Sequence, residues 1–326
     1  MKNGICMTAF LTLLLGAALP ANAQTVRIGY WSSGVSLGFG GFLKAGEFLE
    51  KQGLDVEYLT FPDVNAPTKA MAADGIDFAI GASAGSALSV TADGLPMSII
   101  LATQVADLKF VVPADSPIQS MEELAGKKVG MSPAGSATAA ITAAILQTNY
   151  GIESASYEAV PGNDSRLAQF LIQKDIDVAA LRTVSLALVA DAGFREIGSF
   201  REEWSKITGQ PTAPVLGVGL IRNDWLEENP DGAAKIVAGM RNAYEYGAAN
   251  RDEVAQALIT EANISQEDAE AYAALWDDIY MVSMEPTDVE SLRTEFEVFK
   301  GVGSVQGEFA EDAVRTEPYE ASKALK

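Results

Sequence analysis

The sequence predicts an α/β protein of two lobes, each a mostly parallel sheet flanked by helices, with the chain crossing between them twice. Three observations carry this. Short apolar strands alternate with helical stretches from residue 26 to about residue 190, the signature of βαβ units and parallel sheets. The 326-residue length exceeds what one hydrophobic core usually supports. Several strands also run out into small-residue turns that open helices, where open α/β sheets bind their ligands.

The elements follow in order. Val26 to Tyr30 is a strand running into Trp31-Ser32-Ser33-Gly34, and a helix is expected from Gly38 to Lys51, stopped by Gly53. Asp55 to Phe61 is the second strand, and the Pro62 to Pro67 turn, containing Asp63, precedes a helix over Thr68 to Ala73. Gly75 to Gly81 is the third strand. It ends in Ala82-Ser83-Ala84-Gly85-Ser86 and another helix, and Met97 to Thr103 is the fourth strand.

Lys109 to Pro113 reads as a strand entering the second lobe, and Lys127 to Met131 as its next strand. The small-residue turn Ser132 to Ser136 then opens an Ala-rich helix. The first N–H groups of a helix have no partner within it and carry the positive end of its dipole. A Ser/Gly/Thr turn lets an anion approach them, although a plain capped helix uses the same residues. The recurrence of such turns at strand ends is the signal. Strand Ser156 to Val160, turn Pro161-Gly162-Asn163-Asp164, helix Ser165 to Gln173 and strand Asp177 to Leu181 follow, the last ending in Arg182-Thr183. Val215 to Ile221 reads as the returning strand. Helices are expected over Asn223 to Phe299, and the tail from Gly301 is expected on the surface. The lobes then divide as 24–105 and 211–326 for the first, and 106–210 for the second.

The chain opens with Lys2, an apolar run from Ile5 to Leu19 and Ala21-Asn22-Ala23, which describes a secretory signal peptide cleaved after Ala23. The run is short for a membrane span. The single cysteine, Cys6, lies inside it, so the mature chain has neither thiol nor disulfide. Without Lys2, 22 basic residues face 44 acidic ones, a mature net charge of −22. Such a charge argues against nucleic acid and anionic membranes as partners. No histidine occurs, which removes the commonest general base and the commonest metal ligand.

Ile28-Gly29-Tyr30, Gly75-Ile-Asp-Phe-Ala-Ile-Gly81, Met121-Glu-Glu-Leu-Ala-Gly-Lys-Lys-Val-Gly130, Gly135-Ser-Ala-Thr138 and Lys174-Asp-Ile-Asp-Val-Ala-Ala180 together resemble the substrate-binding proteins of ABC importers for nitrate, alkanesulfonates and taurine. The resemblance covers nearly all of the mature chain. It implies a periplasmic binding protein of type II, a monomeric clamp that closes on a small organic anion and presents it to a membrane permease and its ATPase, with no cofactor. Carried over by position, ligand contacts fall on Trp31, Ser32 and Ser33, on Ser83 with the neighbouring Ala84, on Ser136, Ala137 and Thr138, and on Arg182. Asp63 and Asn163, in turns at further strand ends, complete the candidates. The sulfonate branch commonly holds an aromatic where Arg182 stands. Arginine there either grips a carboxylate or sulfonate through two parallel hydrogen bonds or pairs with a surface acid. Gly217 stands where taurine-like members place an acid, so a ligand without an amine is favoured, with Asp63 or Asp107 as substitutes for that acid. Trp31 is the cleft aromatic; Trp204, Trp225 and Trp276 read as packing.

An enzyme is the competing class. Relatives of this fold make a thiamine pyrimidine precursor with a histidine of their own, which this chain lacks. Gly81-Ala-Ser-Ala-Gly85 fits Gly-x-Ser-x-Gly after a strand, but no triad forms without histidine. The remaining alternatives are the same clamp specific for a carboxylate, aliphatic or aromatic, and a sensor partner in place of a transporter subunit.

Overall fold

The computed structural model describes residues 24–325; the leader read in residues 1–23, with Cys6, lies outside them. The first lobe opens with β1 (Gln24–Trp31), α1 (Gly34–Ala45), β2 (Leu54–Phe61), α2 (Ala66–Ala72), β3 (Phe78–Ser83), α3 (Ala84–Ala92) and β4 (Met97–Val105). The second lobe holds β5 (Leu108–Val112), β6 (Lys128–Met131), α4 (Ala137–Tyr150), β7 (Glu158–Pro161), α5 (Asp164–Gln173), β8 (Val178–Arg182), α6 (Thr183–Ala187), β9 (Arg195–Ser199) and α7 (Phe200–Thr208). The chain returns through β10 (Val215–Arg222) to α8 (Asn223–Glu228), α9 (Pro230–Ala249), α10 (Arg251–Ala262), α11 (Gln266–Ala274), α12 (Trp276–Ile279), β11 (Tyr280–Ser283), α13 (Pro286–Gly301) and α14 (Glu317–Ser322).

The first sheet has the order β11-β4-β10-β3-β1-β2, the second β7-β6-β8-β5-β9. β1 pairs in parallel with β2 and β3, and β6 with β7 and β8. The strands next to the crossings reverse the pattern: β10 is antiparallel to β3 and β4, and β5 to β8 and β9. Residue choice follows position. β3 is buried along its whole length and β4 along all but its last residue, so both read as unbroken apolar runs, as central strands covered on both faces do. β2, at an edge, is buried only at Leu54 and alternates exposed with half-buried positions from Asp55 to Tyr58.

The two crossings lie side by side, where Ala106 N–H donates to the Pro214 carbonyl over 2.9 Å. Behind them the apolar core is continuous between lobes. Phe110 and Phe200 rings sit 5.1 Å apart within the second lobe, and Trp204 reaches Phe299 of the first lobe at 6.2 Å.

Two expectations are corrected. α1 starts at Gly34 and ends at Ala45, because Glu47 takes a left-handed backbone (φ 50°) that no helix continues. β9, α7 and β11 were not expected; β11 is a four-residue strand in a stretch that reads as helix. The tail from Gly301 lies mostly on the surface, as expected, and is tied down there. Arg315 N–H donates to the Ile99 carbonyl over 2.9 Å, and α14 buries Tyr319 and Ser322.

Candidate functional site

Five strands, β1, β3, β6, β7 and β8, are each followed, at once or after a short turn, by a helix, α1, α3, α4, α5 and α6, and residues of these helix starts line the cleft between the lobes. Parallel strands leave their carboxyl ends on one side, so the helix N-termini that follow are gathered there with their free N–H groups. Ser136 caps α4 by accepting the Ala139 N–H at 3.2 Å. Asn163 caps α5 by accepting from Arg166 N–H at 2.9 Å.

Trp31 divides the cleft into two compartments and lines both. The inner one is about 10 Å³, room for about one water. Its walls include Ser83, Gln104, Ser136, Ala137, Thr138 and Arg182. Here the lobes are bonded directly. Ala137 N–H, at the start of α4, donates to Ser83 Oγ over 2.7 Å. Close by, Asn65 Nδ2 donates to the Ala134 carbonyl over 3.2 Å. Gly85 permits this approach, since a Cβ there would stand 3.0 Å from the Ala137 nitrogen and 3.1 Å from the Ser136 carbonyl carbon. On the floor, Gln104 Nε2 donates to Ser36 Oγ over 3.2 Å. Gln104 Oε1 lies 2.5 Å from where a Gly217 Cβ would be, so Gln104 occupies the space that an acid at 217 would need.

The outer compartment is about 260 Å³. Ser33, Asp164, Gln169, Ser185, Asp268 and Tyr272 contribute polar groups, against an apolar wall that includes Leu37, Leu188, Leu258 and Ile264. Burial pushes the Tyr272 phenol above its ordinary range, and nearby Asp164 adds to the effect.

Arg182 and Asp164 form an ion pair at the boundary, both side chains almost fully buried. The Arg182 backbone N–H also donates to Asp164 Oδ2 over 3.0 Å. The guanidinium carbon lies 5.3 Å from the Trp31 ring centroid, a cation–π contact between lobes. Among the described residues, two buried donors beside it, Trp31 Nε1 and Arg182 Nε, have no hydrogen-bond partner. Buried donors are almost always paired, so both are open to an acceptor from water or a bound molecule.

The structure brings Trp31, Ser83, Ser136, Ala137, Thr138 and Arg182 together at the inner compartment and puts Ser33 at the outer one. It does not bring in the other candidates. Ser32 is exposed, and its hydroxyl donates to the Phe61 carbonyl over 2.9 Å. Asp63 accepts the Asn65 N–H at 3.0 Å within its own turn. Ala84 is buried at the start of α3, and Asn163 is exposed at its cap. Arg182 is neither a surface residue nor an unpaired grip, because Asp164 already holds it. Asp164 was legible only as the neighbour of Asn163 in the same turn. Gln104, Asp268 and Tyr272 carried no local signal, and Asp107, at the crossing, lines neither compartment.

A family model described as NMT1/THI5 like matches residues 43–254. A Brucella abortus chain, described as a candidate binding protein, is 23% identical over 254 residues, 77% of this chain and 76% of that one. Among solved structures, the alkanesulfonate-binding protein SsuA from Xanthomonas axonopodis pv. citri, bound to MOPS, superposes with a TM-score of 0.75 at 15% identity, covering 91% of this chain and 99% of that one. The desulfurization enzyme DszB superposes at 0.64 and 13% identity, covering 93% of this chain and all of that one (100%). Likeness at this identity concerns the fold.

Proposed function

The chain belongs to the NMT1/THI5-like family, and from that premise we propose that it is the solute-binding component of an ABC importer. In this reading it is a periplasmic monomer that captures a small organic anion, sulfonate or carboxylate, and delivers it to a permease and its ATPase. The observation that carries the proposal is the pair of unpartnered buried donors, Trp31 Nε1 and Arg182 Nε, set among helix N-termini at the junction of the lobes. An anionic head group supplies the acceptors these donors lack, together with the α4 N-terminus and the Ser83, Ser136 and Thr138 hydroxyls. The organic body occupies the outer compartment of about 260 Å³, against Trp31 and its apolar wall.

The inner compartment is nearly closed, so the head group enters as the Ser83–Ala137 hydrogen bond opens and the lobes part at the two crossings. The solute stabilises closure to the extent that it binds the closed state better than the open one. The closed pair of lobes is what a permease would recognise. Local donors do this work against the unfavourable field of a chain whose net charge is −21. The sulfonate named for SsuA favours a sulfonate head. No histidine is present to serve as a general base, which favours binding over catalysis although the fold is shared with DszB.

The test is a thermal-shift panel of alkanesulfonates, taurine, nitrate, aliphatic dicarboxylates and aromatic carboxylates on residues 24–326. A solute at 100 times its Kd adds about 2.7 kcal/mol of stability, a rise of several degrees. A sulfonate or carboxylate hit supports the reading, and a flat panel refutes it.

A further inference from the structure

We propose that Asn65 is a two-position switch between the lobes: in the closed clamp its side-chain amide latches the turn before α4, and in the open clamp it swings back to cap α2. This rests on the reading that the lobes part and close. Asn65, buried, stands immediately before the first residue of α2. Asparagine is favoured at such a position because its side-chain oxygen accepts the N–H of the second or third helical residue. The second residue is Pro67, which has no N–H, so the group to be served is the Thr68 N–H. Asn65 makes no such bond. Its Nδ2 donates instead across the lobe boundary, to the Ala134 carbonyl over 3.2 Å. That carbonyl fixes the orientation of the amide, since only its nitrogen can donate. Oδ1 is left buried with no partner among the described residues, as is the Thr68 hydroxyl in the same turn of helix.

The far side of the latch is shaped to receive it. Ser136 N–H donates to the Pro133 carbonyl over 3.1 Å, closing a turn in which Gly135 takes φ +81°. A type II turn needs that left-handed conformation at its third residue. The Ala134 carbonyl lies between the bonded ends of the turn and accepts from outside it. Ser136 then caps α4, so Asn65 holds the turn that presents the α4 N-terminus to the inner compartment. Asn65 lines neither compartment and acts on the site through this turn, as a positioning residue. Its two arrangements are closely matched, because each makes one neutral hydrogen bond and forgoes the other. The closed arrangement also leaves the Asn65 and Thr68 oxygens unanswered, which weakens it. A modest bias, such as a solute's preference for the closed state, is then enough to throw the switch.

Residues 24–326 contain no cysteine, so spin labels go only where they are placed. Glu57→Cys on β2 and Glu158→Cys on β7 put one on the exposed edge strand of each sheet. Double electron–electron resonance on this protein, with no solute added, reads the open and closed spacings. Asn65→Asp keeps an oxygen for the α2 cap, removes the donor and sets a carboxylate against the Ala134 carbonyl. The closed-to-open ratio should fall about ten-fold or more, while the melting temperature holds, because aspartate caps a helix as well as asparagine does. Asn65→Ala loses latch and cap alike and should lower both the closed fraction and the melting temperature. Distance distributions that are the same in the wild type and both variants overturn the latch. Equal melting temperatures for Asn65→Asp and Asn65→Ala overturn the cap, and either result ends the proposal. The thermal-shift panel tests the solute reading separately: a flat panel beside the expected label distances removes the solute and leaves the switch.

Discussion

Glu295 makes the pH dependence of stability a sharp test of how the crossing between lobes is built. It lies on α13, fully buried, and its Oε1 accepts the Val215 N–H at 2.6 Å, while Oε2 has no partner among the described residues. Val215 follows Pro214, whose carbonyl takes the Ala106 N–H of the other crossing, so the acid sits directly against the hinge. Burial raises its pKa from 4.5 to about 8, and the Val215 hydrogen bond opposes this only in part. Between these values the folded chain holds a proton that the unfolded chain has released. Stability therefore falls as pH rises from about 4.5 to about 8 and levels off above. The gap of about 3.5 pH units, at about 1.36 kcal/mol each, sets a ceiling of roughly 5 kcal/mol on the loss. Glu295→Gln keeps the acceptor for Val215 and removes the proton. Urea unfolding of both proteins between pH 5 and pH 7.5 should show the variant gaining on the wild type by about 3 kcal/mol across that range. Comparing the two cancels the contribution of the other carboxylates. Parallel curves would refute the argument that this carboxyl is held neutral at the hinge.

Further outcomes follow from the cleft. Arg182→Ala leaves Asp164 buried without its partner, so it should cost about 3–5 kcal/mol by denaturation and lower solute affinity about ten-fold or more; a double-mutant cycle with Asp164→Asn checks that the loss belongs to the pair. Gly85→Ala puts a methyl against the Ala137 and Ser136 backbone across the lobe boundary. Overpacking of about 1–3 kcal/mol there should appear as an affinity loss of about five- to 150-fold. The melting temperature of the solute-free protein should hardly change, because parting of the lobes relieves the clash. Ser83→Ala removes a hydroxyl that faces the bound head group in the inner compartment, and the solute-bound form should lose about 1–3 kcal/mol, seen as faster solute dissociation in stopped-flow fluorescence.

The strands of the parallel halves were legible because their patterns are local. Phe78 to Ser83 and Met97 to Val105 are apolar runs of strand length, each bounded by turn residues. The small-residue turns located Ser83 and Ser136 for the same reason, since a helix start needs such residues whatever it faces. The errors arose where tertiary packing overrode local preference. Gly34 to Leu37 opens on glycine after a Ser-Ser turn and reads as loop, yet it forms the first turn of α1 against the core. Arg195 to Ser199 is too polar to read as a strand, and β5 recruits it as an edge. The site was half legible for a related reason. Arg182 and Asp164 stand eighteen residues apart on separate elements, and no spacing rule joins them. Asp268 and Tyr272 come from a helix far along the chain that folds back over Trp31, a contact only the fold creates.

The most direct test of the central claim is a crystal structure of the protein with the tightest solute from the panel. The solute should lie at Trp31 and Arg182, with its anionic head on the α4 N-terminus beside Ser83 and its body in the outer compartment. Density instead in the separate cavity of about 420 Å³ between Tyr157 and Val305, with the Ser83–Ala137 hydrogen bond intact, would contradict it.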